Sequence, residues 1–365
     1  MIILQMKILG RILYWFGKGK MATDILATQK SNKDKLFGRR WKVSILIPLN
    51  ETETSADLSK YTAYVVSNSD YEDQSLDVTF RVEKSGWKCP NFSEITVYNL
   101  NPQTENMVIR SGTRVLVEAG YVNGDYGVIY DGNVFQPMWE REDTVTSKVT
   151  LKCIDAMDII YDNHVSAAFG ALAYQQNIVM NMAANSRKSF NITKISSGVG
   201  NAQLSRGKVL FDSPVYYMRK YAQQYGTAIS TIDRKVYIDR PQDPIPANLT
   251  KQALVLSPGV GGLIGTPQQT QDGITFTCLL NPKIRVFNPE PMLVKIDNAF
   301  IRQMAIQFNS AGFSRLDEDG IYRVIGITHT GATRGNEWYT TVVGCNQSME
   351  GTLATMYKNE SAVNK

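Results

Sequence analysis

The chain has 365 residues, of which 43% are hydrophobic and 20% charged, a composition typical of a folded protein of two or three domains that excludes bulk disorder. The net charge of +5 comes from the beginning of the chain, because residues 1–42 carry ten Lys and Arg against two acidic residues. The remainder is slightly acidic, which argues against a nucleic-acid-binding body, since such a body needs a basic face of its own.

The first 40 residues predict a basic and apolar N-terminal arm. Lys7 and Arg11 interrupt its apolar residues, so stable membrane insertion is not expected, and no small-residue cleavage site follows. Two interpretations stay open. The segment is either an extension upstream of a start at Met21 or an amphipathic arm that binds a partner through apolar residues near helical spacing, namely Ile8, Leu9, Ile12, Trp15 and Phe16.

Residues 41–157 predict a first β-barrel domain. Short alternating segments separated by turn signals are typical of a sandwich or barrel. Asp131-Gly132-Asn133 is predicted as one of these turns. The expected strands lie at 41–49, 61–67, 75–84, 93–100, 113–121, 127–136 and 147–156.

Residues 158–245 predict a small α+β module. We expect a helix within 164–184, a strand at 191–196 and a hairpin that turns at Asp233-Arg234. A second helix is expected within 211–226, where Ser213 is placed to cap it, Pro214 suits its first position and Gly226 suits its C-cap. The tyrosines at four-residue spacing on this helix favour core packing over base stacking: Tyr217, Tyr221 and Tyr225.

Residues 242–252 predict a linker, 253–350 a second β-barrel domain and 351–365 a polar tail. The expected strands of this domain are 273–280, 292–299, 304–310, 320–331 and 337–346. The predicted fold class is therefore mainly β, with two similar β-barrel-like domains flanking a helix-containing middle module.

The stretch SPGVGGLIGTPQQTQDG at 257–273 resembles a phosphate-binding loop at first sight. A dinucleotide fingerprint needs its third spaced glycine where Ile264 stands, and a P-loop needs Gly-Lys-Ser/Thr followed by a helix. Neither is present. We predict that these glycines allow positive φ in a bend that leads into a β-strand.

The sequence contains no recognisable catalytic motif. It has no G-x-S-x-G, and His329 lies in an alternating segment that favours a packed strand histidine. The two histidines and four dispersed cysteines provide no clustered ligands, so no metal or cofactor is expected. Glu140 and Asp319 belong to carboxylate groups that keep a cell-wall glycosidase open as an alternative, alongside a carbohydrate-binding β module.

Several segments resemble the hub protein of bacteriophage tail baseplates. Tyr98-Asn99-Leu100 ends one strand, 112–121 has the pattern G-x-x-V-x-V-x-A-G-Y, and 129–134 has I-x-x-G-x-V. In the second domain, 264–286 and 320–344 resemble the Gly-x-Pro…Leu-Leu-Asn-Pro segment and the closing hairpin of that family. The resemblance covers about 40–350.

The resemblance implies a non-enzymatic homotrimer that belongs to the virion and is synthesised in the host cytoplasm. Two barrel domains in each of three chains would form a pseudo-sixfold ring that joins a hexameric tail tube to a trimeric central spike. The implied partners are the tube and spike proteins, with the tape measure protein and baseplate neighbours as further partners, and DNA only passes through the lumen. We place Gln268 and Gln269 at a subunit or tube contact.

Overall fold

The structure is a computed structural model. It describes residues 36–48, 61–68, 75–108, 112–161, 163–196, 201–240, 243, 245–258, 261–270, 273–297, 301–303 and 319–346. The predicted arm contacts from Ile8 to Phe16, the predicted strand at 304–310 and the tail lie outside these residues and remain predictions.

The N-terminal part of the chain is β-sheet with one short helix. Its strands alternate apolar residues with polar ones, so that one face of each strand is buried. The helix α1, Pro102–Val108, lies between two of the predicted strands. The strands are β1 (Arg39–Pro48), β2 (Tyr61–Ser67), β3 (Val78–Ser85), β4 (Phe92–Tyr98), β5 (Arg114–Tyr121), β6 (Tyr126–Arg141) and β7 (Ser147–Ile154).

The turn predicted at Asp131-Gly132-Asn133 is wrong, because these residues lie inside the 16-residue strand β6. Arg114 on β5 donates to both carboxylate oxygens of Asp131, at 2.8 and 2.7 Å. Gly132 is needed for close packing, since a Cβ there would lie 2.2 Å from the Tyr130 hydroxyl. The Asn133 side chain donates to the loop before β5 at 3.0 Å. Residue types common in turns therefore make cross-strand contacts here.

The middle of the chain folds as a small α+β unit. Its three-stranded sheet has the order β11-β12-β9, and a separate ladder joins β8 to β10. The elements are α2 (Met157–Ile160), β8 (Val165–Phe169), α3 (Gln175–Ala184), β9 (Asn191–Ile195), β10 (Lys208–Asp212), α4 (Pro214–Tyr225), β11 (Ala228–Ile232) and β12 (Lys235–Asp239).

One local prediction in this unit is confirmed and one needs correction. The helix expected within 164–184 is α3, which begins at Gln175, and residues 165–169 before it form β8. Ser213 precedes α4 but makes no side-chain cap hydrogen bond. Pro214 at the helix start and Gly226 at the left-handed C-cap (φ 61°) are confirmed.

The C-terminal part returns to β-sheet. The predicted linker contains one helical turn, α5 (Ala247–Thr250). The strands that follow are β13 (Leu254–Leu256), β14 (Leu263–Thr270), β15 (Gly273–Leu279), β16 (Leu293–Ile296), β17 (Arg302–Gln303), β18 (Ile321–Ala332) and β19 (Trp338–Cys345). Together these elements confirm a mainly β fold with a helix-containing middle.

The two β-rich parts repeat one strand order. The orders β3-β4-β7-β6-β5 and β14-β15-β19-β18-β16 match, and all the neighbouring pairs in both are antiparallel. The β6–β7 and β18–β19 ladders each contain a register shift, between Val134 and Gln136 and between Val324 and Gly326. The remaining strands differ, because β1 pairs antiparallel with β5 whereas β13 pairs parallel with β16.

Three main hydrophobic clusters fill the interior of the described residues. One belongs to the N-terminal strands but also contains Leu280 and Trp338. The second belongs to the C-terminal strands and takes in Ile232 and Tyr237 from the middle unit. The third lies within the middle unit, where Tyr221 is buried and the other two stripe tyrosines pack partly buried against it, as predicted. The clusters therefore extend across the three parts of the chain.

Candidate functional site

The seam between the two β-rich parts is a continuous ladder of β3 with β18. It runs antiparallel from Gly326 opposite Ser85 to Ala332 opposite Thr79. Because backbone hydrogen bonding continues from one sheet to the other, the two parts act as one mechanical unit.

Aromatic packing fills this seam. The Phe80 ring lies directly over Gly331, where an added Cβ would be 2.2 Å from the ring. The same ring meets Trp338 edge-on, with ring centroids 5.4 Å apart. Trp338, on β19, therefore completes the core of the N-terminal strands. Gly331 carries no side chain because the Phe80 ring occupies the space where its Cβ would lie.

Arg39 fixes the start of β1 to the same seam. Its guanidinium donates to the backbone oxygens of Ala332 at 2.8 Å and Gly335 at 2.5 Å, both on the β18–β19 hairpin. It also lies 5.4 Å from the centre of the Trp338 ring, within cation–π range. The point at which the N-terminal arm enters the folded body is thus held against the seam.

A buried polar group, here called the turn cluster, joins the middle unit to the N-terminal strands. It consists of Lys84, Asn91, Asp155, Thr231 and Asp233. The Asp233 carboxylate accepts from Lys84 Nζ at 2.5 Å, and Asp155 accepts from the Asn91 backbone N–H and the Thr231 hydroxyl, each at 3.0 Å. Asp233 reaches inward because it lies in the β11–β12 turn with φ 51°, confirming the predicted hairpin.

Burial raises the pKa of Asp155 to about 7, although the hydrogen bonds from Asn91 and Thr231 favour its charged form. Beside it lies a cavity of about 540 Å³. Its charged lining includes two ion pairs, Arg114 with Asp131 and Arg234 with Asp158. A carboxyl group with a shifted pKa can indicate catalysis, but here the carboxyl is held by structural donors.

A second group, here called the strand-end cluster, joins the middle unit to the C-terminal strands. Arg323 on β18 pairs with Asp239 at the end of β12, and both side chains are almost fully buried. Lys194 on β9 lies 3.9 Å from Asp239 and also pairs with Glu290. Nearby, Tyr237 stacks on Phe287 with centroids 4.7 Å apart. The three-stranded sheet is therefore attached to both β-rich parts.

The residues of these two clusters were not singled out from the sequence. Lys84 and Arg323 stand in alternating strands, where a charged residue normally faces water. The sequence does contain one signal for Arg323. It stands between the apolar residues Tyr322 and Val324, in a strand whose residues are buried on both faces, so its side chain must also be buried. Asp233 was identified only as a turn residue, and its role in pairing depends on a strand distant in sequence.

The carboxylates considered for glycoside hydrolysis have ordinary surroundings. Glu140 pairs with Lys148 at 3.1 Å, and Asp319 is exposed. His329 is buried and exchanges a 2.9 Å hydrogen bond with Thr340, which confirms the packed strand histidine. Burial, with nearby Lys84, lowers its pKa to about 3, so it is neutral. Within the described ranges, no group of three or more His, Cys, Asp or Glu side chains is placed to hold a metal.

The glycine-rich stretch forms a bend and part of a sheet. Gly261, Gly262 and Gly265 have φ of +83°, +68° and +68°, as predicted. The polar residues that follow lie in β14. Gln268 is exposed there, whereas Gln269 is 4% exposed. The partner contacts at Gln268 and Gln269 stay predictions.

Helices in the described part of the chain all fall short of the length and hydropathy that crossing a bilayer requires. No protein-family model matches the sequence, and no curated protein is significantly similar to it.

Solved structures do share the fold. The 43 kDa tail protein of prophage MuSo2 from Shewanella oneidensis superposes with a TM-score of 0.50 at 9% identity, over 86% of this chain and 99% of that protein. A chain of the Francisella PdpA-VgrG complex in its lidless form gives a TM-score of 0.51 at 8% identity, over 86% of this chain and 66% of that one. The present chain thus spans slightly less than two thirds of the latter. The likeness expected from the sequence is confirmed at the level of fold: the chain has the fold of a phage tail protein and of a chain in the PdpA-VgrG complex.

Proposed function

We propose that the chain is a structural component of a phage tail baseplate or a related injection apparatus, acting as a trimeric hub. The observation that carries this proposal is the superposition on nearly the whole length of the MuSo2 tail protein. Shared fold does not by itself imply shared function. The proposal therefore also depends on the internal architecture of the chain.

The repeated strand order supports a ring assembly. One chain contributes two β-rich parts of matching order, and the β3–β18 ladder holds them in a fixed relation. Three chains would then supply six such parts, the number that matches a hexameric tube while keeping the threefold symmetry of a spike. Tail tube and tape measure proteins would meet one face of the ring, and the spike the other.

The charge distribution suits a passage for DNA. Outside residues 1–42 the chain carries 29 basic and 32 acidic residues. A slightly acidic wall repels the phosphate backbone, so DNA would pass through the lumen without being retained. The basic segment at the beginning of the chain would then bind a neighbouring tail component.

The buried polar groups of the described residues support a non-enzymatic role. The best organised polar groups in the described residues are the turn cluster and the strand-end cluster, and both connect parts of the fold. Surface carboxylates serve local structure, as in Asp143, which accepts from the backbone N–H groups of Val145 and Thr146 at 2.7 and 2.6 Å. No observation favours a second function.

The proposal is tested by the stoichiometry and position of the chain in an assembled particle. Native mass measurement and imaging of labelled tails should give three copies at the junction of tube and spike. Removal of residues 1–20 should weaken incorporation while the circular dichroism spectrum of the body stays unchanged. A single copy, or a location away from the tail, would overturn the hub proposal.

A further inference from the structure

The strands β6 and β18 hold equivalent positions in the repeated strand order. Gln136 pairs with Lys152 just after one register shift, and Gly326 pairs with Val343 just after the other. From these positions both ladders continue antiparallel without a further shift. Residues 136–141 of β6 therefore correspond one by one to residues 326–331 of β18.

The two strands differ in what covers their second edge. The first half of each strand is covered, β6 by β5 and β18 by β16. The second half of β18 is then covered by β3, but in the described residues no strand pairs with the second half of β6 on that edge.

Side-chain exposure follows this difference. On β18, Ile325 and His329 are each 1% exposed, whereas the corresponding Phe135 and Trp139 on β6 are 40% and 48% exposed. An uncovered strand edge with exposed aromatic residues is a site at which another strand can add to a sheet.

The equivalent of β3 in the second repeat is β14. Each pairs antiparallel with the next strand, β4 or β15, and these pair in turn with β7 or β19. Counting along these ladders places Gln268 in the position of Arg81. Among the residues that the structure describes, the outer edge of β14 carries only the two-residue parallel strand β17.

We propose that residues 136–141 of β6 pair antiparallel with β14 of a second copy of this chain. The contact repeats between chains the β3–β18 ladder that exists within each chain. Since Thr330 lies opposite Arg81 in that ladder, Glu140 of one copy lies opposite Gln268 of the other. The proposal rests on the proposed function in requiring that copies of the chain assemble.

This contact is heterologous, because the two edges that meet are different. Such a contact adds chains head to tail and closes into a ring when the rotation permits. It also gives a role to the exposed Trp139 and to Gln268, the residue placed at a partner contact from the sequence.

The contact between chains is weaker than its counterpart within the chain. Pro137 stands where β18 has Ile327, and proline lacks the backbone N–H that a ladder uses. The incoming β6 must also displace β17 from Gln268 and Gln269. Both features delay pairing until assembly brings the copies together, which protects the free chain from aggregation.

Cysteine cross-linking tests the register. Directly opposed residues in an antiparallel pair bring their Cβ atoms to roughly 4.5–5.5 Å, close to what a disulfide requires, whereas positions two residues away are too far apart. Glu140→Cys with Gln268→Cys changes two exposed side chains, so folding should be retained. Under mild oxidation of the assembled trimer, this double variant should shift from a monomer band to linked dimers and trimers.

Three controls make the result specific. Each single variant should remain monomeric on a non-reducing gel, and Glu142→Cys with Gln268→Cys, displaced by two residues, should link far less. A trimer that forms but shows no Glu140–Gln268 link overturns this inference and leaves the hub proposal standing. Absence of any trimer in assembled particles overturns the hub proposal instead. A link from Glu140→Cys to Arg302→Cys would place β17 in the contact and overturn direct pairing with β14.

Discussion

The seam between the two β-rich parts and the attachments of the middle unit are built from different interactions. The seam combines a backbone ladder with the packed rings of Phe80 and Trp338. The middle unit is attached in part by ion pairs, the partly buried pair of Lys84 with Asp233 at one end and the buried pair of Arg323 with Asp239 at the other. Both regions join parts of the chain that are distant in sequence, but only the first requires no ion pair.

The two kinds of contact stabilise the fold in different ways. Burial of apolar surface provides most of the stability in the seam, and this contribution depends on the area removed from water and not on precise direction. Buried ion pairs add little net stability, yet losing one partner is strongly unfavourable. The ion pairs therefore restrict the orientation of the middle unit through the penalty for leaving a charge unpaired, in addition to the stacking of Tyr237 on Phe287.

The largest expected effect comes from truncating the seam. Trp338→Ala removes the ring that fills the N-terminal core, and large-to-small changes of this kind lower the free energy of unfolding by about 3–5 kcal/mol. Chemical denaturation measures the loss. Trp338→Phe keeps a ring against Phe80 and should lose much less. Equal losses for the two variants would show that ring packing does not hold the seam.

Breaking the strand-end cluster should have the next largest effect. Arg323→Ala leaves the buried Asp239 without its close partner and should lower the free energy of unfolding by about 3 kcal/mol. The double variant Arg323→Met with Asp239→Leu removes both charges and should be more stable than the single variant. Lys194 keeps Glu290 as a partner in that background. A double variant that is less stable than Arg323→Ala would show that the unpaired charge of Asp239 is not what destabilises the single variant.

The smallest expected effect is a pH dependence within the seam, where His329 lies opposite Val82. Its pKa falls from 6.5 to about 3 on folding, so its contribution is fully present above pH 6.5 and is lost as the pH falls toward 3. Between pH 7 and 5 the loss is about 2 kcal/mol, at about 1.4 kcal/mol per pH unit.

His329→Gln removes this titration, so the variant should lose less stability than the wild type when both are unfolded at pH 7 and pH 5. The raised pKa of Asp155 acts in the opposite direction over a similar range, and it is common to both proteins. The difference between them therefore isolates His329. Parallel pH profiles for the two proteins would rule out a neutral buried histidine.

Much of the fold could be predicted from local pattern. The hairpin at Asp233-Arg234 and the end of α4 at Gly226 follow from backbone preferences that a few residues determine. The failures have a tertiary cause. Asp131-Gly132-Asn133 has the composition of a turn, but Arg114 and close packing in the sheet hold it extended.

The candidate site was harder to predict for the same reason. Gln268 and its neighbour Gln269 differ only in which face of β14 they occupy, and the bend before them hides that phase in the sequence. Asp239, the partner of Arg323, lies 84 positions away, and a periodic sequence pattern does not predict a pairing over that separation. Contacts between parts of a fold can be identified only when the relative positions of those parts are known.

The position of Trp338 has a consequence for the order of folding. The N-terminal strands leave the ribosome first, yet their core lacks Leu280 and Trp338 until the chain has been synthesised through β15 and into β19. The β3 edge that awaits β18 stays open for the same interval. During translation the chain therefore carries an unfinished domain with an exposed strand edge, and the β18–β19 hairpin closes it at the end.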